Sequence, residues 1–316
     1  MGAVGNGLAD LVGSLVRPLT FLPLERTMSQ FGGGFILAFH EVTGERFTEQ
    51  IEAYRGLKII SLSEMIERIR THRSAGCLAI TVDDGIGSTV QAVSIVARER
   101  NWPVTFYLPT QYLDEPASSI HMIWTNISRR LPMGALKLSS GTSDLSNLAR
   151  RAKFVEEMLQ KIYGAPILSY GSEIFEIRDR LVAMGLANIE DLNPPAPVAW
   201  NQVSAYSKNE LLDFQSHGVS HEALSVMNVA DLEAELKSSQ RKIEEATGRP
   251  CRHFCYPFGG KISIGSASPK LVSKYYDSAV TMNRGRVKGN DLMLLPRIPI
   301  YTKDSASLAR LKVLTI

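Results

Sequence analysis

Residues 78–85 read LAITVDDG, a short apolar run that ends on two adjacent aspartates and a glycine. Apolar, partly β-branched runs of this length are the pattern of a strand buried in a parallel sheet. Asp83 and Asp84 would then stand at the carboxyl end of that strand. Neighbouring carboxylates repel each other, and taking either out of water is costly unless a cation compensates. Asp and Gly are also turn formers, so the stretch reads either as a turn or as part of a metal site.

Outward from this strand, apolar runs alternate with helical patterns. FILAF (35–39), CLAITV (77–82) and PVTFYL (103–108) read as strands. Ser61 and Glu64 form a capping box for a helix with Leu62, Met65, Ile66 and Ile69 on one face, and a further helix falls near 88–100. The rhythm breaks between about 114 and 200, a polar, helical stretch closed by the proline-rich NPPAPVAW (193–200). It then resumes. DFQSH (213–217) and RHFCY (252–256) are strands, as are stretches near 277–282 and 294–300, and Asn228 opens a long helix that Gly248 ends. Alternating strands and helices imply βαβ units and a parallel sheet. The organisation expected is an N-terminal helical or loop segment over 1–34 and an α/β domain over 35–316, with a helical insert at about 114–200.

The 316 residues, 44% of them hydrophobic, can fill one large α/β barrel or two smaller domains. The formal net charge of +3 is spread thinly, so no nucleic-acid partner is expected, and Arg129–Arg130 reads as a solvated helix face. Cys77, Cys251 and Cys255 lie in or beside apolar runs and read as buried thiols rather than a disulfide framework. No apolar span reaches transmembrane length. The N-terminus lacks the basic start and continuous apolar core of a signal peptide, which leads us to expect a cytoplasmic protein. Leu8, Leu11, Val12, Leu15 and Val16 recur at helical spacing, as a helix packed on the domain or one in peripheral contact with a membrane.

The residues able to do chemistry cluster at strand ends: His40, Asp83–Asp84, His217 and Tyr256–Pro257. In α/β barrels functional side chains collect there. SHGVSH (216–221) places His217 and His221 at i, i+4, and on a helical turn both rings would face one way. Two imidazoles and one carboxylate can make a catalytic zinc shell with a position left for water. One aspartate would ligate and the other act as base on that water. Phe258 and Trp200 could stack on a sugar or pack in the core.

Together these stretches resemble the polysaccharide deacetylase family, also called NodB-homology or carbohydrate esterase family 4. TVDDG (81–85), SHGVSH (216–221) and FCYPFGG (254–260) resemble its first three motifs, in order. LAFHEV (37–42) resembles an N-terminal strand of the circularly permuted, poly-N-acetylglucosamine deacetylase branch. The resemblance implies a distorted parallel (β/α) barrel with fewer than eight strands. It implies a metal-dependent hydrolase that removes acetyl from an N-acetylated sugar, in surface-polysaccharide or glycan-precursor metabolism. Asp83 matches the general base; Asp84, His217 and His221 match the ligands of a divalent metal, zinc first, with cobalt or nickel as alternatives. Tyr256 matches the residue whose backbone N–H holds the oxyanion. The usual arginine of the third motif is missing, and Arg297 in LPRIPI resembles the arginine of members lacking it. No histidine follows His253, and His40 resembles the acid of the permuted branch. His72, His121 and His253 receive no role. The alternatives are a carbohydrate-binding protein that has lost catalysis on the same fold, and an amidohydrolase of a non-sugar amide.

Overall fold

A computed structural model of the protein describes residues 32–289 and 291–316. The helix expected around Leu8–Val16 lies outside the described residues. Strand β1 (Phe35–Phe39) and strand β3 (Cys77–Val82) fall where their apolar runs predict and are buried along their whole length. Strands β2 (Lys58–Ile59), β4 (Val104–Leu108), β7 (Leu212–Ser216), β8 (His253–Cys255), β9 (Ser278–Val280) and β10 (Ile298–Pro299) complete the main sheet. Seven strands run in the order β10-β1-β3-β4-β7-β8-β9, every neighbouring pair parallel, and β2 pairs beside them on β3. A parallel bridge from Val280 to Leu295, just ahead of β10, links the two ends of the row. The sheet is a curled, distorted barrel of parallel strands wrapped by helices.

Helix termini follow the caps in the sequence. Ser61 accepts a hydrogen bond from the Glu64 amide at the start of the Leu62–Arg70 helix. The Glu64 carboxylate does not complete the expected box; it binds Arg68 and Lys58 instead. Asn228 caps Val229–Thr247 through the Asp231 amide, and Gly248 ends that helix at φ +67°. A C-terminal helix, Ala306–Leu314, packs on the Gly44–Glu52 helix and accepts the Tyr54 hydroxyl at the Ala309 carbonyl.

The stretch 114–200 has its own buried cluster, which includes Ile123, Trp124, Ile127, Leu136, Ile174, Ile177 and Leu192. Its longer helices are Ile120–Ser128, Leu148–Gly164 and Gly171–Ala183. It is not wholly helical. Strands β5 (Ala135–Leu138) and β6 (Gly141–Asp144) form an antiparallel hairpin in which Leu136 and Leu138 are buried while Ala135 and Lys137 are exposed. Four residues of alternation are too short to stand out against flanking helices. The proline-rich exit of the insert lies on the loop after β3: Gly87 N–H donates to the Ala196 carbonyl and Val198 N–H to the Gly85 carbonyl. A side chain at Gly87 would meet the Pro197 carbonyl oxygen at 2.9 Å, so only glycine admits this approach.

Candidate metal centre and active site

Parallel register brings the strand ends together. Phe39 pairs with Val82, and the Asp83 amide donates to the Phe39 carbonyl at 2.8 Å, so His40 and Asp83 leave their strands side by side. Two strands on, Ser216 pairs with Phe254, which sets His217 beside Cys255. Asp84 then turns the chain at φ +71° and Gly85 follows at +69°. The turn reading of the DDG stretch and the metal reading are therefore compatible, because the turn is what aims Asp84 across the barrel mouth. His221 and Phe258 also adopt left-handed backbone, at φ +57° and +60°. Strained non-glycine backbone concentrates where surrounding contacts hold it for function.

Asp84 Oδ1 lies 3.6 Å from His217 Nε2 and 3.5 Å from His221 Nε2, all three side chains buried. Donors about 2.0–2.2 Å from a tetrahedral ion stand roughly 3.3–3.6 Å apart, so these spacings fit a divalent cation. Burial, with His221 alongside, lowers His217 to about 4, which leaves its imidazole neutral. Burial pushes the Asp84 carboxyl up, but the surrounding imidazoles, His221 first, outweigh it and hold Asp84 well below the usual carboxylate range. His217 Nδ1 lies 2.8 Å from the Cys255 carbonyl and donates to it, turning the Nε2 lone pair toward Asp84. Asp83, His217 and Cys255 form a second cluster of ligand type among the described residues. It suits an ion less well, because both Asp83 oxygens are already taken by Arg297.

That arginine is fully buried. Its Nη1 and Nη2 donate to Asp83 Oδ1 and Oδ2 at 2.7 Å each, a bidentate pair, and Nε donates to the Thr281 carbonyl. Nη1 also reaches Thr81 Oγ1, and Nη2 the Cys255 sulfur at 3.0 Å. Burial raises the Asp83 carboxyl, and Arg297 more than offsets it, so Asp83 is held below its ordinary range and stays ionised. His40 Nε2 is 3.8 Å from Asp83 Oδ2, with its ring partly open to a cavity of about 770 Å³. Asp84, His121, Arg129, Tyr163 and Tyr301 line the same cavity.

Two expectations need correction. The histidine pair is not on a helical turn: β7 ends at Ser216, and His217 and His221 flank a loop that turns at Gly218, φ +82°. The buried Glu235 carboxylate fixes that loop by accepting from the Val219 and Ser220 amides and the Ser220 hydroxyl. Second, the Tyr256 amide donates to the Val280 carbonyl at 3.2 Å, continuing the β8–β9 ladder, so this N–H is not free to hold an oxyanion. The two aromatics left open between sugar stacking and core packing, Trp200 and Phe258, are not among the residues that line the cavity. Trp200 donates to Asp114 and lies under Lys242, while Phe258 packs against His221 and Tyr163.

The structure adds two residues that no motif signals. His121, on the first helix of the insert core, stacks on His221 with ring centroids 3.8 Å apart and planes 16° apart. Burial and the neighbouring His221 push its imidazole well below the usual range, so it too is neutral. Glu235 stands beside the buried Leu232 and Leu236 on their helix, a place where a carboxylate in the sequence could have been noticed.

The architecture is a distorted parallel α/β barrel that gathers a cluster of metal-ligand type, Asp84, His217 and His221, past the carboxyl ends of its strands. The model of the polysaccharide deacetylase family matches residues 174–270, and the chain resembles that family in motifs, in this match and in fold. A polysaccharide deacetylase from Bacillus cereus has 15% identity and a TM-score of 0.56, covering 89% of this chain and 69% of that one. The Streptococcus pyogenes deacetylase PplD, in complex with acetate, has 15% identity and a TM-score of 0.56 over 90% of this chain and 97% of its own. IcaB from Ammonifex degensii has 13% identity and a TM-score of 0.55 over 89% and 96%. At such identity the likeness is one of fold. No curated protein sequence matches the chain. Among the described residues no helix is long and apolar enough to cross a membrane.

Proposed function

We propose that the protein is a metal-dependent hydrolase that removes the acetyl group from an N-acetylated sugar of a glycan. One observation carries the reading: Asp84 Oδ1 meets the two imidazole nitrogens at 3.5–3.6 Å while the adjacent Asp83 is kept ionised by Arg297. Asp84, His217 and His221 would hold the ion, zinc by donor type, with cobalt and nickel compatible with the same set. A bound divalent ion would polarise the acetyl carbonyl and make a water acidic enough to lose its proton near neutrality. Asp83, close by but outside the ligand set, takes that proton. Arg297 lowers the basicity of Asp83 but guarantees that it is unprotonated when the water arrives. His40, protonated, gives its proton to the departing amine nitrogen, and the products are acetate and a free amino sugar. With the Tyr256 amide engaged in the sheet, a cation held by Asp84, His217 and His221 would be what stabilises charge on the acetyl oxygen.

Two features of the sequence favour a binding protein without catalysis: the missing third-motif arginine and the missing late histidine. Arg297 on both oxygens of Asp83, and His40 at 3.8 Å, supply groups of the right chemistry at those places and support the enzyme. The test is acetate release from a panel of N-acetylated glycans and simple acetamides by zinc-loaded protein, repeated after chelation. Release from glycans that stops on chelation and returns with zinc is expected. Release from acetamides alone would favour a non-sugar amide, and no release with a fully loaded site would favour binding without catalysis.

A further inference from the structure

The two ligand histidines are held in different ways. His217 leaves a strand end and has its ring fixed by the hydrogen bond from Nδ1 to the Cys255 carbonyl. Among the described residues His221 has no such anchor: its Nδ1 is buried and none of them hydrogen-bonds to it. It also sits in a loop, on left-handed backbone. What surrounds its ring is aromatic. His121 covers one face at 3.8 Å and 16°, Phe258 meets it edge-on at 4.9 Å and 88°, and His217 meets it edge-on at 4.6 Å and 84°. Stacked and edge-to-face rings prefer such geometries and resist rotation of the ring between them. Two of these contacts lead back to the insert. His121 begins its Ile120–Ser128 helix, whose Ile123, Trp124 and Ile127 are buried in the insert core. Phe258 packs on Tyr163 of the Leu148–Gly164 helix at 4.9 Å. The next residue after His221 is also tied there, since Glu222 accepts the Ile167 amide.

We infer that His121 is a positioning residue for the metal site, setting the plane of His221 by ring stacking where a hydrogen bond sets that of His217. The insert is then part of the metal centre. His121 is not itself a ligand: the three donor atoms of Asp84, His217 and His221 gather within 4.8 Å of one another, and no group of this kind among the described residues includes His121. The inference rests on the metal-site reading above.

The experiment measures zinc affinity by chelator competition for wild type, His121→Ala and His121→Phe. It also records the thermal midpoint of each protein without metal and the visible spectrum of each with cobalt. Partners that orient a ligand are typically worth about 10- to 100-fold in metal affinity, so His121→Ala should weaken zinc by about that factor and alter the cobalt bands. His121→Phe keeps a flat ring, fills the same space and should recover most of the affinity. If His121→Ala melts lower without metal yet binds zinc as tightly as wild type, the residue only fills space and the inference fails. If His121→Phe folds but binds as weakly as the alanine variant, stacking is not what His121 provides, and the inference again fails. Absence of zinc binding in the wild type would instead overturn the metal-site reading itself.

Discussion

The barrel and the insert grip the same site by different means. The barrel acts through register: the pairing of β1 with β3 and of β7 with β8 delivers His40, Asp83 and His217, and barrel groups, Arg297 for Asp83 and the Cys255 carbonyl for His217, fix the last two. The insert acts through side chains: His121 and Tyr163 reach the site only because a separate cluster behind them is packed. A sheet register cannot slip without reversing every side chain along the strand. A stacked ring can loosen by degrees. The barrel half of the site should therefore fail abruptly when altered, and the insert half should weaken gradually.

The largest effect expected falls on the barrel side. His40→Ala should lower kcat by about 100- to 10,000-fold with little change in KM, the range for losing a general acid. An unchanged kcat would remove His40 from the chemistry. Next comes Arg297→Met. Breaking a buried ion pair leaves an uncompensated charge and costs about 3–5 kcal/mol, read as a fall in denaturant midpoint. The pH dependence has a definite sign. Asp83 is held below its ordinary range, so its contribution to stability is complete above that range and disappears as pH falls through the lowered value. Without Arg297, Asp83 would take up a proton at higher pH, and the acid limb of the rate profile should move upward. A limb that stays in place would show that Asp83 is not the group titrating.

On the insert side the effects should be smaller and spread out. Ile177→Ala opens a cavity in the insert core, where Ile177 is fully buried, and should cost about 2–5 kcal/mol. Hydrogen exchange should show the loss in the insert helices first, with the β1–β3–β4 ladder still protected and zinc affinity reduced less than in His121→Ala. Equal loss of protection in both regions would make them one cooperative unit and blur the contrast. The smallest change expected is in Trp200→Ala, which should leave KM unchanged because that ring is held by Asp114 and Lys242 and is absent from the cavity lining.

Most of the barrel half was legible in the sequence, for a physical reason. A parallel strand buried on both faces is a run of apolar residues, and the side chains just past its end land on the rim. Asp83, Asp84, His217 and His40 could be picked out on that basis. Arg297 was found through resemblance, and its bidentate grip on Asp83 needed coordinates. The i, i+4 spacing singled out the two histidines that the structure gathers with Asp84, but not by the helical turn it implied, since a glycine turn braced by Glu235 brings them together. The engagement of the Tyr256 amide depends on how far the β8–β9 ladder runs, which spacing along the chain cannot show. His121 was invisible. Its partner His221 lies far along the chain and shares no periodicity with it, and a single imidazole at the start of a helix has no pattern to detect.

The central claim is that Asp84, His217 and His221 grip one divalent ion while Asp83 works beside it. Zinc titration of Asp84→Ala and Asp83→Asn tests this most directly. One zinc per chain is expected in the wild type and in Asp83→Asn, the latter without deacetylase activity, and no stoichiometric zinc in Asp84→Ala. Full zinc binding by Asp84→Ala, or loss of zinc in Asp83→Asn with its counterpart unaffected, would contradict it.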